Sequence, residues 1–370
     1  MAVDRFLIVR LSSLGDIIFT LPVLGALRDS FPTAKIGWIV DRRFAALLDN
    51  NPDLNEAIAL EGRSVRNYLA CARKARDFGA TCVLDIQGLY KSALLARLSR
   101  APMRVGFTFA RARERGASIF YTQRIQPQAA HMVDQNLELA AAVGASVAAP
   151  RFPISVGREA QGAVDQLLLG ANISRYAVLS PGGGWKSKCW PPERYGELAI
   201  QIWDKQGLRS IVNAGPGEVQ LAGYVAAKAA AAMPIVVQYE IPQLMALLHG
   251  AEIVIAADSG PLHLANALGT PVVGLYGPTN PARNGPYGTR DIVVRNATDA
   301  DTTYQRGAEY SSLMNSISVE QVFDAVKERL ANRTGGRLAS RMVDRLGNRV
   351  TQQEAMRPAT ARNKPAVPEK

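Results

Sequence analysis

The chain has 370 residues, 48% of them apolar and 20% charged, a composition that builds real cores and excludes a globally disordered protein. At about 150 residues per domain, the length suggests two domains. Lys and Arg number 43 against 32 Asp and Glu, a net +11, and the three cysteines (Cys71, Cys82, Cys189) form no CxxC pair, which argues against a disulfide scaffold or structural zinc and for a reducing compartment.

In chain order, Arg5–Leu11 predicts a strand and Asp16–Ser30 a helix that stops before Pro32. Lys35–Val40 and Cys82–Asp85 read as strands, and Ser64–Asp77, Lys91–Ser99 and His131–Val143 as helices. The pattern then restarts. Tyr176–Ser180, Ser210–Asn213, Ile235–Val237, Ile253–Ala256 and Val272–Tyr276 are β-branched runs, separated by helical stretches at Glu193–Lys205, Glu218–Ala231 and Gln243–Leu248. An amphipathic helix, Ser318–Ala331, closes the series. Such alternation predicts α/β halves with parallel sheets, and ligands in these sheets bind beyond the carboxyl ends of the strands. The expected division is 1–160, 161–333 and a basic tail, 334–370.

Asp4, Arg5 and Arg10 interrupt the first apolar run, so no signal peptide is read there. The longest stretch free of Asp, Glu, Lys and Arg, Ser259–Ala282, holds four prolines and four glycines and cannot be a spanning helix. The protein is expected in the cytoplasm, or at most on a membrane surface. Arg333–Lys370 carries nine positive and three negative side chains. Arginines recur there every four residues from Arg333 to Arg349 beside Leu338, Met342, Leu346 and Val350, a pattern that suits either a solvated helix or an anionic lipid surface. Beyond Met356 disorder is expected. No helix-turn-helix, zinc-finger or RNP-like motif points to nucleic acid.

Three strand-to-helix junctions carry the chemistry. In Arg10-Leu11-Ser12-Ser13-Leu14-Gly15-Asp16, Gly15 permits a tight turn, and Asp16 opens a helix where positive potential favours its ionised form. Such a carboxylate can take a proton from a hydroxyl, or simply cap the helix. Ser180–Pro191 offers three consecutive glycines with Lys186 and Lys188, an anion cradle or a plain flexible loop. Asp258-Ser259-Gly260-Pro261-Leu262-His263 starts another helix, whose free N–H groups form a second phosphate seat. His263 fits that anion or a structural role. Asp299-Ala300-Asp301 has a DxD form that some sugar transferases use for a metal, but reads as a solvated loop, and no other cluster has metal-ligand spacing. The G-x-S-x-G and initial G-x-G-x-x-G elements of hydrolases and dehydrogenases are absent.

Taken in order, LIVRLSSLGDIIFTLPVLGALR, LDIQGLYKSALLARL, PGGGWKSKCWP, ADSGPLHLANALGTPVVGLYGPTNP and ISVEQV resemble the ADP-heptose:lipopolysaccharide heptosyltransferases of glycosyltransferase family 9, most closely type I, from about Phe6 to Leu330. The resemblance implies a GT-B architecture, two Rossmann-like domains facing across a cleft. The second would bind the nucleotide-sugar and the first the acceptor. It implies inverting transfer of heptose from ADP-heptose to a Kdo residue, on Kdo-bearing lipid A, with no cofactor and no essential metal. Asp16 matches the general base and Lys188 the lysine that neutralises the departing diphosphate. Ser259, Gly260 and His263 would cradle the diphosphate, Gly183, Gly184, Lys186 and Asp258 would join them in binding the donor, and Glu218 falls to the ribose and Tyr239 near the adenine.

On the acceptor side the same resemblance places Ser12, Ser13, Gln87, Lys91, Arg104, Arg111, Arg113 and Arg115. Two departures stand out. Many relatives carry cysteines where this chain reads TYQRGAEYSSLMNS, and the basic tail lies outside the resemblance. Rival readings are another family 9 transferase of type II or III, one with a different donor sugar, or a non-catalytic nucleotide- or lipid-binding protein of the same fold.

Overall fold

The computed structural model describes residues 4–305, 307 and 309–332. The expected basic helix and the disorder beyond Met356 lie outside them. The first half runs β1 (Arg5–Val9), α1 (Leu14–Ile18), α2 (Leu21–Ser30), β2 (Lys35–Asp41), β3 (Glu56–Leu60), α3 (Val65–Asp77), β4 (Cys82–Asp85), α4 (Tyr90–Leu98), β5 (Met103–Phe107), β6 (Gln123–Ile125) and α5 (Met132–Ala141). After α6 (Arg158–Gly170) the second half runs β7 (Tyr176–Ser180), α7 (Pro192–Gln206), β8 (Arg209–Asn213), α8 (Val219–Lys228), β9 (Ile235–Val237), α9 (Ile241–Gly250), β10 (Ile253–Ala257), α10 (Gly260–Ala267), β11 (Val272–Leu275) and β12 (Ile292–Val294). The sheet orders are β3-β2-β1-β4-β5-β6 and β12-β11-β10-β7-β8-β9. Every pairing is parallel. These are the two parallel α/β halves that the alternation predicts, and both are Rossmann-like, as the resemblance implies.

Strands buried on both faces read as continuous apolar runs. In β1, Phe6 and Ile8 face one core with Ile36, Trp38 and Leu84, while Leu7 and Val9 face another with Val83, Cys71, Ala75 and Leu95. Each such fully buried side chain stabilises the fold by roughly 1.5–3 kcal/mol. The first of these cores continues into the second half through Val178, Leu247, Val254 and Leu264. One apolar layer therefore joins the halves. The expected boundary at 160/161 falls inside α6, which begins at Arg158.

The helix expected over Asp16–Ser30 is two helices. Thr20 Oγ1 donates to the Asp16 carbonyl at 2.9 Å, and Pro22, in the first turn of α2, has no N–H to give to the turn before it. Among the described residues, no helix is long and apolar enough to cross a membrane.

Candidate active site

In a parallel sheet all carboxyl ends lie along one edge, and here the two edges meet. Helices α1 and α10, one from each half, touch at their N-terminal turns. Two glycines allow it. A Cβ on Gly15 would lie 2.9 Å from His263 Cδ2, and one on Gly260 would lie 2.7 Å from Leu14 Cδ2.

The α1 side is organised by a residue that the motif reading passed over. Arg10 directly follows β1 with its side chain buried, donating Nη1 to the Ile86 carbonyl. Its Nη2 sits 2.7 Å from Asp16 Oδ1. A cation at the end of a buried strand demands a partner, and that demand was the legible signal. The helix opens at Leu14 with Ser13 as N-cap, so Asp16 is its third residue. Asp16 Oδ2 accepts from Ser13 N at 3.1 Å and Ser13 Oγ at 2.9 Å. The carboxylate thus caps the helix by reaching back and still leaves 25% of its side chain exposed. Burial acts to raise the Asp16 carboxyl. Arg10, the two Ser13 hydrogen bonds and the more distant Arg113 outweigh it and hold the carboxyl below the usual range.

That balance predicts a pH effect. In Arg10→Gln the cation is gone and burial opposes the anion with less resistance. The Asp16 pKa therefore rises, and the acidic limb of kcat/KM moves to higher pH. An unmoved limb would show that Arg10 does not set the ionisation of the essential group.

The second half supplies a buried trio. Asp258 accepts from Lys188 Nζ at 2.8 Å through Oδ2 and pairs with His263 Nε2 at 3.1 Å through Oδ1. Burial would raise the Asp258 carboxyl, but the His263 hydrogen bond and the Lys188 charge drive it far below the usual range. Nε2 of His263 must therefore carry a hydrogen. Lys188 also lies over the Trp185 ring at 4.7 Å. The ammonium has three donors and spends one on Asp258. Ser259, the N-cap of α10, has its Oγ buried without a hydrogen-bond partner among the described residues, as does His263 Nδ1. Ser259 Oγ stands beside the free N–H groups of the helix start, a ready seat for an anion.

Other expected donor residues follow along the same edge. Gly182 is dictated by space: a Cβ there would fall 1.9 Å from Glu218 Oε2. Glu218 in turn accepts from Gly215 N at 2.9 Å. Gly183 packs on Cys189 Sγ, and Gly184 is unobstructed. Lys186 lies over the Tyr310 ring at 4.9 Å. Tyr239, half-buried, follows β9 at the far end of the row. Asp258 departs from the expectation. Both its oxygens are taken, one by the Lys188 ammonium and one by the His263 N–H, so it positions those two side chains, and an anion there would repel a phosphate that it touched directly.

The acceptor expectations divide. Ser12 and Ser13 line the turn before Asp16, and Arg113, in the loop after β5, acts on the Asp16 charge. Lys91 on α4 is exposed, as are Arg111 and Arg115 in the same segment after β5. Gln87 is buried, and its Oε1 accepts from Leu11 N at 2.8 Å, so it buttresses the Asp16 turn from beneath. Arg104 is not brought to the cleft. It lies near the amino end of β5, away from the edge that the other strands share, and donates to the carbonyls of Phe120 and Ala101 at 2.8 and 2.7 Å.

Sequence reasoning also missed the supports. Tyr121 Oη donates to buried Asp85 at 2.7 Å, fixing the loop that carries Gln87. Across the halves, His131 Nε2 meets the Gly285 carbonyl at 3.1 Å and Tyr287 Oη donates to Asp134 at 2.7 Å. The Phe19 ring lies between His131, which it meets edge-on, and His263, to which it is tilted. Asp299 and Asp301 are engaged by Arg295 and Thr298 on the surface. Among the described residues, no three His, Cys, Asp or Glu side chains gather to hold a metal ion.

Comparison with known proteins places this geometry. Residues 68–313 match the family described as glycosyltransferase family 9 (heptosyltransferase). The chain is 31% identical over 304 residues to lipopolysaccharide heptosyltransferase 1 of Pseudomonas aeruginosa, covering 78% of this chain and 82% of that protein. It is 27% identical over 338 residues to the lipopolysaccharide core heptosyltransferase OpsX of Haemophilus influenzae, covering 87% and 95%. The solved structure of Escherichia coli heptosyltransferase WaaC with ADP superposes with a TM-score of 0.71 at 27% identity, covering 88% of this chain and 99% of that one. The two facing Rossmann-like halves are thus the GT-B architecture.

Proposed function

The chain belongs to glycosyltransferase family 9, the heptosyltransferases, and from that premise we propose that it transfers L-glycero-D-manno-heptose from ADP-heptose to a Kdo residue of the lipopolysaccharide inner core, with inversion. The observation that carries the reading is the meeting of α1 and α10, which sets an ionised carboxylate on one side of the junction and a lysine-histidine anion seat on the other.

The order of strands supports the placement of the donor. Along the second sheet's edge come β10 with Ser259 and His263, β7 with Lys188, β8 with Glu218 and β9 with Tyr239. An extended nucleotide laid along that row sets its diphosphate on α10 and Lys188, its ribose at Glu218 and its adenine against Tyr239. Asp16 then meets the anomeric carbon from the opposite half. The acceptor oxygen attacks that carbon, its proton passes to Asp16, and the bond to the diphosphate breaks with the electron pair leaving on ADP. The low basicity of Asp16 is tolerable, because the hydroxyl acidifies only as the new bond forms. Lys188 and the α10 N–H groups meet the charge that grows on the diphosphate. In this scheme the ammonium does what a divalent ion does elsewhere, so a chelator is expected to leave turnover unchanged, and lost activity restored by a divalent ion would contradict it.

The donor assignment is tested by offering ADP-heptose, ADP-mannose, UDP-sugars and GDP-sugars with Kdo-bearing lipid A and reading products by mass spectrometry. Product from ADP-heptose well above the others is expected. A preferred UDP- or GDP-sugar would sink the assignment.

A further inference from the structure

We propose that the outer face of α3, α4 and the turn Arg115–Phe120 docks on an anionic bilayer surface. This face is independent of the tail. Six large apolar side chains there, Val65, Leu69, Tyr90, Leu94, Leu98 and Ile119, are 37–76% exposed. Their placement is periodic. Val65 and Leu69 are one turn apart on α3, and Tyr90, Leu94 and Leu98 recur every fourth residue on α4. The two helices pack side by side over the same face of the first sheet, burying Cys71, Ala72, Ala75, Leu95 and Ala96 beneath them. Their outer faces therefore point away from that sheet together. Tyr90 crosses to the neighbouring turn, its ring lying where a Cβ on Gly116 would be, so Ile119 continues the patch. Scattered surface leucines are ordinary; a contiguous apolar stripe on adjoining helices marks an interaction surface.

The charge around the stripe identifies the partner. Residues 61–119 carry twelve Lys and Arg against four Asp and Glu, one of which, Asp85, is buried. The rest of residues 1–332 carries 22 against 25. The positive charge of the folded body is thus concentrated on this segment. Lys91 and Arg97 lie on the exposed face of α4 between its apolar residues, and Arg66 and Arg73 are exposed on α3. Apolar side chains that enter the acyl boundary, interleaved with cations that stay at the headgroups, are what an interfacial surface needs. A nucleic acid would match the cations but leave the leucines without a purpose. The inference stands on the surface alone. The transferase reading adds only its use: α4 begins on the loop after β4, beside the Asp16 turn, so docking here would present a lipid-borne acceptor to the cleft.

The test uses the full chain. The native cysteines are all buried, so a thiol introduced by Leu98→Cys can be labelled alone with an environment-sensitive dye. Its emission should shift to the blue with phosphatidylglycerol vesicles and stay unchanged with phosphatidylcholine vesicles. The same label at Leu169→Cys, an exposed site on α6, should be silent with both. The combined Leu94→Glu, Arg97→Glu and Leu98→Glu variant should lower vesicle partition by about tenfold or more, with thermal unfolding and transfer to a water-soluble acceptor retained. Vesicle binding with a silent dye at Leu98, partition unaffected by the triple substitution, or no binding of the unmodified chain would each overturn the proposal. Loss of transfer alone would instead count against the enzymatic reading.

Discussion

Asp16→Asn should bind ADP-heptose about as tightly as the parent and turn over slower by about 10²–10⁴-fold, the contribution typical of a positioned general base. The amide keeps the size of the carboxylate and can still accept from Ser13. What it loses is the ability to take a proton and the charge facing Arg10. The second loss has a structural cost. Arg10 is buried, and removing the partner of a buried ion pair costs about 3–5 kcal/mol, which the remaining contact with the Ile86 carbonyl offsets only in part. The variant is therefore expected to melt earlier while remaining folded at assay temperature. Donor affinity measured by calorimetry separates the two effects, because the donor row lies on the other half. Near-normal kcat in this variant would remove Asp16 from the chemistry.

Lys188→Ala has the second largest expected effect. Removing one preorganised donor to developing charge typically costs about 10²–10³-fold in kcat, and ADP should bind more weakly as well. The trio makes the outcome specific. Without Lys188, Asp258 remains buried with only the His263 N–H hydrogen bond to hold it, and an uncompensated carboxylate sits beside the diphosphate seat. The damage is thus a lost cation and an exposed anion together. The double variant Lys188→Ala with Asp258→Asn should recover part of the ADP affinity lost in the single variant, but not kcat. Unchanged kcat and ADP affinity in Lys188→Ala would reassign the glycine-rich loop.

Much of this was legible in the sequence because buried parallel strands announce themselves. RFLIV, YAVLS and IVIAA are runs that only a two-sided core explains. The strands that escaped notice are those with weak patterns. β3 reads Glu-Ala-Ile-Ala-Leu, opening on a charge with two alanines, and β5 begins Met-Arg and contains Gly106, while β6 and β12 have three residues each; β3, β6 and β12 lie at sheet edges, where one neighbour suffices. Residue identity located Asp16, Lys188 and His263. It could not reveal what each touches. Arg10 and Asp16 are six residues apart, but Lys188 and Asp258 are 70 apart, and only the closure of the second sheet brings them together. Arg104 shows the converse. It belongs to an arginine-rich stretch, yet its place near the amino end of β5 fixes it at the wrong edge, a fact that needs the strand's limits rather than its composition.

A crystal structure of the chain with ADP bound tests the central claim most directly. The account predicts the terminal phosphate within hydrogen-bond reach of Lys188 Nζ and the start of α10, with Ser259 Oγ engaged, the adenine toward Tyr239 and the Asp16 carboxylate open to the space beyond the phosphate. ADP seated away from Lys188, or an Asp16 carboxylate closed off from that space, would contradict it.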